Sequence, residues 1–376
     1  MNYIKLPVAL LLVCVVVAFS VLLYGCITAF EPKGIEEVSD LLIIDGTITN
    51  GESVFKLSHS VGLTEELKGN EYINGASVYI ETDAGDTFKA VQEIIGTYTI
   101  PTGELDANKQ YRLNVEYNGR HYQSPFLAPL ITPEIDSISV QKKGKGEMVN
   151  ICVNTHDPKN LSKYYRWSYK ETWEVQANLY ANAREENGRL IMHEGAENTL
   201  YCWVYNYSHT LLLGSTEKLS ENIISGKRIA QIPPGSDCLS VLYRIEVDQI
   251  QLRKEAHDYF SNLQKNVEQT GSLFTPMPSE MKGNITCLTD SDLPVIGYIE
   301  VATTTKIAHY IPVSANLYEP PRRECPVIDD AALAIEQNYA IYEYLPMRTT
   351  YAPLACVDCR LRGSKKRPED WPNNHY

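Results

Sequence analysis

The chain has 376 residues, of which 47 are acidic and 34 are basic, and its formal net charge is −13. An acidic surface repels the phosphates of nucleic acids and the head groups of anionic lipids, so neither is expected as a partner bound by charge. The length exceeds that of one typical domain and suits two or three. The 25 tyrosines against 7 phenylalanines favour half-buried β surfaces, where the ring packs and the hydroxyl finds a partner.

The N-terminus carries an apolar run from Leu6 to Cys26, preceded by one cation, Lys5. The run is long enough to span a bilayer, so a transmembrane helix is one interpretation. A short cationic start before an apolar stretch is also the order of a signal peptide, and the run ends in Leu-Tyr-Gly-Cys, which resembles the bacterial lipobox. No cluster of Lys or Arg follows the run, as a cytoplasmic flank would need. We therefore predict a signal peptide over residues 1–25, and a lipidated Cys26 that begins a tether over residues 26–40.

Residues 41–132 are predicted to form an N-terminal β-sandwich of the prealbumin or immunoglobulin type. Short β-rich runs are separated by the dipeptides Asp45-Gly46 and Asn50-Gly51, which are strong turn signals. No stretch of useful length in this range has the helical period. Strands at short spacing with turn signals between them indicate a small β-sandwich.

Residues 133–320 are predicted to form a second β-sandwich, because alternating runs such as KYYRWSYKETWEV and SVLYRIEVDQI follow one another. One amphipathic helix is expected at about 252–270, with Gly271 past its end. Its apolar residues at helical spacing are Leu252, Ala256, Tyr259, Phe260, Leu263 and Val267. Residues 321–376 are rich in Pro, Cys and charge and are expected to be an irregular, disulfide-clipped tail. The predicted fold class is mainly β, with two sandwich-like domains in tandem.

Seven cysteines remain when Cys14 and Cys26 are set aside, and outside the cytosol they can oxidise. Cys152 and Cys238 occupy apolar strand positions and are expected to be unpaired, buried thiols. The disulfide candidates are Cys202, Cys287, Cys325, Cys356 and Cys359. Each cysteine of the CVDCR pair is expected to bond to a different one of the other three. A zinc site that adds Cys325 and His375 to this pair is the alternative, but a structural site usually has two paired knuckles.

Two rows of aromatic residues are candidates for a ligand-facing surface. One predicted strand alternates Tyr165, Trp167 and Tyr169, and another alternates Tyr201, Trp203, Tyr205 and Tyr207. Alternate residues of a strand share a face. If exposed, such a face is a platform for stacking on a glycan or peptide. Packing in the core or in a cross-strand ladder is the alternative that the residue types favour.

No catalytic residue, cofactor or metal site is predicted. The chain lacks a Gly-x-Ser-x-Gly elbow, a His-Glu-x-x-His motif, a phosphate loop and a dinucleotide fingerprint. A pair of glycosidase carboxylates stays possible, because Asp and Glu are plentiful. The basic run at 359–368, CRLRGSKKRP, either docks onto an acidic partner or lipid head groups or is a solvated tail.

Several segments give the chain a resemblance to a known family. They include LIIDGTITNGESVFKLSHS, YRIEVDQIQLRKEAHDYFSNLQKNVEQTGSLFTPMPSEMKGNITC and the closing CVDCR and RPEDW. On these segments the chain resembles the Bacteroidota outer-membrane lipoprotein family known as domain of unknown function 4249. The resemblance extends over nearly all of the chain after Cys26.

The resemblance implies a lipid-anchored protein of the outer membrane, on the cell surface or on the periplasmic face, with a TonB-dependent transporter as partner. It implies no catalytic residue. The expected function is that of a non-enzymatic accessory or ligand-capturing subunit of a nutrient-uptake complex. A structural or adhesive surface lipoprotein is the second hypothesis, and a glycoside or peptide hydrolase is the third.

The first test concerns Cys26. We expect Cys26→Ser to release the protein from the membrane fraction or to leave the precursor uncleaved, because acyl chains can no longer be attached. Metabolic labelling with radioactive palmitate measures this. Cys14→Ser is the matched control, since no small residue is placed for cleavage beside Cys14, and it should stay labelled. A wild-type protein that takes up no label would contradict lipidation.

Overall fold

The computed structural model describes residues 41–60, 71–194, 198–269 and 282–373. The predicted signal peptide, Cys26, the tether, Gly271 and His375 lie outside these ranges. Within them the protein is built mainly from antiparallel β-sheets, which confirms the predicted fold class. None of the helices in these ranges is long and apolar enough to cross a membrane.

The first β unit has two sheets around one hydrophobic core. The six-stranded sheet contains β1 (Leu42–Ile48), β2 (Gly51–His59), β3 (Glu71–Tyr72), β6 (Val91–Ile94), β7 (Thr97–Gly103) and β20 (Glu300–Val301). The five-stranded sheet contains β4 (Ser77–Thr82), β5 (Thr87–Lys89), β8 (Tyr111–Tyr117), β9 (Arg120–Gln123) and β19 (Thr286–Cys287). All pairings are antiparallel except that of β1 with β20.

One of the two predicted turns in this unit is confirmed and the other is wrong. Asn50-Gly51 joins β1 to β2, with Gly51 at a φ of 78°, a conformation that glycine adopts without steric cost. Asp45-Gly46 instead lies inside β1. A Cβ on Gly46 would overlap the ring of Phe55 on the neighbouring strand. Glycine is therefore needed here for close packing and not for a turn.

The chain crosses the boundary between the two units three times, which differs from the predicted contiguous second domain at 133–320. Ile285, Val295 and Ile299 are buried in the first core together with residues of β1 and β4. The chain returns here after the helix, so that β19 and β20 complete the sheets of the first unit. A local pattern cannot report this return, because β19 pairs with β9 over 163 residues and β20 pairs with β1 over a still longer separation.

The second β unit also has two sheets around a core. The three-stranded sheet contains β10 (Ile135–Gln141), β11 (Val149–His156) and β17 (Ile223–Ile232). The five-stranded sheet contains β12 (Tyr164–Gln176), β15 (Tyr201–Tyr207), β16 (Leu212–Ser215), β18 (Leu242–Leu252) and β21 (Thr304–Pro312).

Helix α1 (Lys254–Gln269) confirms the predicted amphipathic helix. It begins two residues later than predicted, because Leu252 still belongs to β18. Ala256, Tyr259 and Phe260 are buried against residues of β12, β16 and β18. The apolar stripe of the helix thus covers part of the outer face of the five-stranded sheet.

The C-terminal part has more regular structure than the irregular tail that we predicted. Its elements are α2 (Ala331–Glu336), β22 (Tyr339–Leu345), β23 (Arg348–Pro353), α3 (Leu354–Val357) and a 3₁₀ turn (Cys359–Leu361). A 3₁₀ turn (Asp237–Leu239) and the hairpin of β13 (Ala183–Glu186) and β14 (Arg189–Met192) complete the described elements. The hairpin of β22 and β23 contacts the start of the β13–β14 hairpin, since the backbone N–H of Tyr344 donates to Asn182 Oδ1 at 2.8 Å.

The disulfide Cys202–Cys359 holds the C-terminal part to β15 of the second unit, and Cys325–Cys356 closes a loop within the C-terminal part. Cys152 and Cys238 carry free thiols. Cys152 is buried in β11 as predicted, whereas Cys238 is only partly buried and lies in the 3₁₀ turn Asp237–Leu239 and not in a strand. Cys287, a disulfide candidate, is also free, because β19 places it in the core of the first unit, where it is 2% exposed. The two cysteines of CVDCR are therefore bonded to different partners.

The basic run at 359–368 is tied to the protein body. Arg362 donates to Asp237 Oδ2 at 3.1 Å, and Lys365 donates to the carbonyl oxygen of Tyr201 at 2.8 Å. Arg360 makes a two-pronged contact with the carboxylate of Asp358. These intramolecular contacts hold Arg360, Arg362 and Lys365 of the run against the protein.

The disulfides give the second test. Removing a crosslink raises the conformational entropy of the denatured chain. The gain grows with the logarithm of the number of residues in the loop that the crosslink closed. The sequence separations are 157 for Cys202–Cys359 and 31 for Cys325–Cys356. The double variant C202A/C359A should therefore lose more stability than C325A/C356A, by about 1 kcal/mol, in urea unfolding. Peptide mapping without reduction should recover these two pairs, and a peptide that joins Cys287 to another cysteine would contradict the structure.

Candidate functional site

The first aromatic row is part of the core of the second unit. Tyr165 is fully buried, Trp167 is 2% exposed, and Tyr169 packs against the same cluster. The indole N–H of Trp167 donates to Gln249 Oε1 at 2.8 Å. This row cannot be a stacking platform for a ligand, so the packed alternative is the right one here.

The second aromatic row is covered by the C-terminal segment. Trp203 is 7% exposed and exchanges backbone hydrogen bonds of 2.8 Å with Ser364. Trp371 is 3% exposed, packs in the same cluster as Trp203, and donates its indole N–H to Glu174 Oε2 at 2.8 Å. Tyr201 and Tyr205 are half-buried beside them, and of this row only Tyr207 is mostly exposed.

The two β units meet at a polar seam around Glu300. The Glu300 carboxylate is buried and accepts hydrogen bonds from the Arg253 guanidinium and, at 2.9 Å each, from the backbone N–H groups of Arg253 and Val301. Burial raises the pKa of this carboxyl, and Arg253 lowers it in part. Three converging donors stabilise the ionised form, so the pair links the start of α1 to β20 of the first unit.

Short polar side chains extend the seam along β21. The Thr304 backbone N–H donates to Asn50 Oδ1 at 2.7 Å, and the hydroxyls of Thr304 and Thr49 are 2.7 Å apart. Arg166 of β12 reaches the first unit, where it donates to Thr47 Oγ1 at 2.8 Å. These contacts join β1 of the first unit to β12 and β21 of the second.

Beside this seam the two units enclose a cleft of about 830 Å³. Its residues on the first unit include Asp45, Thr47, Thr49, Glu52 and Lys56, and those on the second include Arg166, Ser168, His209, Asp248 and Lys306. A volume of this size lies within the roughly 300–1,000 Å³ typical of ligand pockets. The cleft, defined by these residues, is the candidate functional site.

The wall on the second unit follows from strand alternation. Arg166 and Ser168 occupy the positions of β12 that alternate with the buried Tyr165 and Trp167. In register, Ser168 lies opposite Asp248, and Asp248 lies opposite Lys306. Residues facing away from the core on three neighbouring strands therefore form one polar row.

Arg166 is the residue in this wall with the least satisfied charge. It is partly buried, and its guanidinium carbon lies 4.8 Å from the centre of the Phe260 ring. Burial lowers the pKa of the guanidinium, and the charges of Asp45 and Glu300 oppose this. Among the described residues no carboxylate lies within ion-pair distance of Arg166, and Thr47 is its one side-chain acceptor.

The other charges of the cleft are also weakly paired. Asp45 and Lys56 are cross-strand neighbours on β1 and β2, but neither makes an ion pair with another described residue. Asp248 and Lys306 are 3.5 Å apart. Burial raises the pKa of Asp248, and Lys306 lowers it in part.

One hydroxyl of the cleft is already engaged by the backbone. Ser208 Oγ accepts the backbone N–H of Tyr169 at 3.1 Å, so this hydroxyl serves the backbone and is not held by His209. Across the described ranges no three side chains of His, Cys, Asp or Glu are grouped to hold a metal ion. Sequence reasoning missed the cleft residues, although charged residues alternate with the aromatic row in KYYRWSYKE and could have indicated a polar outer face.

The protein therefore consists of two packed β units with a charged cleft at their junction. Residues 27–308 match the family model described as Domain of unknown function (DUF4249), and this match covers more than half of the chain. The chain belongs to this family. A comparison with curated proteins finds no match.

The third test concerns the seam. Glu300→Gln keeps the shape of the side chain but leaves the partly buried Arg253 guanidinium without its counter-charge, so we expect a loss of about 2 kcal/mol in the free energy of unfolding. Urea unfolding measures this.

Glu104→Gln is the matched control, because Glu104 is exposed, and it should change stability by less than about 0.5 kcal/mol. The double variant R253M/E300L should recover part of the loss, since it removes both charges. A Glu300→Gln variant as stable as the control would contradict the role of the ion pair.

Proposed function

We propose that the protein is a non-enzymatic lipoprotein of the outer membrane that captures a ligand in the cleft between its β units and supplies it to a TonB-dependent transporter. The observation that carries the ligand-capturing part is the cleft itself, which combines a suitable volume with three charged side chains, Asp45, Lys56 and Arg166, that make no ion pair with another described residue. Unpaired charges that are held in place beforehand are favourable sites for a charged or polar ligand.

The membrane part of the proposal is supported by the N-terminal sequence. The apolar run ends at a cysteine in a lipobox-like context, and several acyl chains anchor a protein stably. The first described strand begins at Leu42, which leaves 15 residues between Cys26 and that strand. We place the protein on the cell surface, with the periplasmic face as the alternative.

The transporter part rests on the family resemblance alone. It follows by association and not from the geometry. The polar cleft is compatible with it, because a capturing subunit needs a site that faces solvent and releases its ligand without chemical change. The concavity beside Lys142 has a similar volume of about 840 Å³ and is also lined by Lys145 and Arg322, but it lies apart from the junction of the two units, and its Lys142 is paired with Glu319 at 2.7 Å.

The fourth test is co-purification. Native protein solubilised in mild detergent should elute together with a β-barrel of the transporter class, identified by mass spectrometry, and deletion of the gene should reduce uptake. Cys26→Ser serves as the control, because loss of the anchor should lower the yield of the complex. If the protein elutes alone at every salt concentration and its deletion leaves uptake unchanged, the structural or adhesive hypothesis replaces this one. Turnover of a glycan or peptide by the purified protein would contradict the non-enzymatic part.

A further inference from the structure

The guanidinium of Arg166 has more hydrogen-bonding capacity than the protein uses. It carries five N–H donors, and among the described residues its one side-chain acceptor is Thr47 Oγ1, at 2.8 Å. A positive charge that is partly buried without a counter-ion costs free energy. Arg253, by contrast, is neutralised by Glu300 in the same seam. Arg166 therefore leaves an anion-binding position at the base of the cleft.

The cleft as a whole is not a site for a simple anion. Its charged residues are three cations and three anions: Lys56, Arg166 and Lys306 against Asp45, Glu52 and Asp248. A ligand with only negative charge would meet repulsion from the acidic residues as well as attraction by Arg166. A ligand that carries one positive and one negative group can pair with both the acidic and the basic residues of the cleft.

We propose that the cleft binds an amino acid or a short peptide with free termini, whose carboxylate pairs with Arg166 and whose ammonium group pairs with Asp45. This deepens the proposed ligand capture and rests on it. Arg166 suits a carboxylate because the planar guanidinium makes two parallel N–H···O bonds. Asp45 suits the ammonium group because its side chain has no hydrogen bond or ion pair to another described residue. It is also near enough to Arg166 for an electrostatic interaction.

A glycan fits the cleft less well. Sugar rings commonly stack on exposed aromatic faces, and the aromatic residue in the cleft wall, Trp167, is only 2% exposed. The second aromatic row lies under the C-terminal segment. What the cleft exposes instead are charged groups, hydroxyls and amides, which match the termini and backbone of a peptide.

Arg166 also has a structural role, and the test has to separate the two roles. Its contacts with Thr47 and Phe260 join the two units. Ligand derivatives that lack one charged terminus separate the two roles, because they leave both contacts of Arg166 in place.

The experiment is isothermal titration calorimetry of the full-length protein in detergent with L-alanine, di-alanine and tri-alanine at millimolar concentrations. We expect at least one of them to bind, and the tightest binder identifies whether the ligand is an amino acid or a peptide. Its C-terminal amide and its N-acetyl derivative should each bind about tenfold or more weakly, because each loses one charged pair. These derivatives test both contacts on the unaltered protein.

Variants provide the second arm. Arg166→Gln and Asp45→Asn should each weaken binding about tenfold or more, and Arg166→Gln should no longer distinguish the acid from the amide. Arg120→Gln and Glu104→Gln make the same charge changes at exposed positions outside the cleft and should bind like the wild type. If Arg166→Gln fails to fold, the amide derivative on the wild-type protein decides the question.

The proposal is overturned if none of the three probes binds, or if the amide and the acid bind equally. That outcome leaves the transporter hypothesis standing, since co-purification and uptake are measured separately. Conversely, peptide binding without a transporter in the purified complex would support the ligand class and contradict the transporter part.

Discussion

The structure depends on one short stretch of chain, residues 300–304, that is hydrogen-bonded into both β units. Ala302 donates its backbone N–H to Ile48 of the first unit at 3.0 Å, and two residues later the chain begins β21 of the second. Glu300 is fully buried within this stretch. Since the last strand of one sheet leads directly into a strand of the other, the outer faces of the two sheets are brought together, and the cleft is the space that remains between them.

Two arginines at this junction show how local pairing separates structure from function. Arg253 meets the Glu300 carboxylate and the carbonyl oxygen of Ala128, so its charge is compensated within the protein. Arg166 meets a hydroxyl and an aromatic ring, which partly satisfy its hydrogen bonding but do not neutralise its charge. A compensated charge contributes to the join between the units, whereas an uncompensated one at a solvent-facing cleft is available to a ligand.

The candidate site could be predicted only in part from the sequence. Alternation places Arg166 and Ser168 on the face opposite to Tyr165 and Trp167, and this much can be read from the residues. The residues do not show by themselves which of the two faces becomes the core, because both faces contain groups that are able to pack. The cleft also needs β1 and β21 side by side, although Thr49 and Thr304 are 255 residues apart.

The sequence by itself determined the local elements: the mainly β class, the Asn50-Gly51 turn, the amphipathic helix and the buried thiol of Cys152. These follow from the period of apolar residues and from backbone preferences, which act over a few neighbours. The tertiary structure decided the rest: the return of β19 and β20 to the first unit, the free thiol of Cys287, and the C-terminal segment that covers Trp203 with Trp371. Each of these results depends on which distant surface buries a given face, and a local pattern shows that a face exists without showing what packs against it.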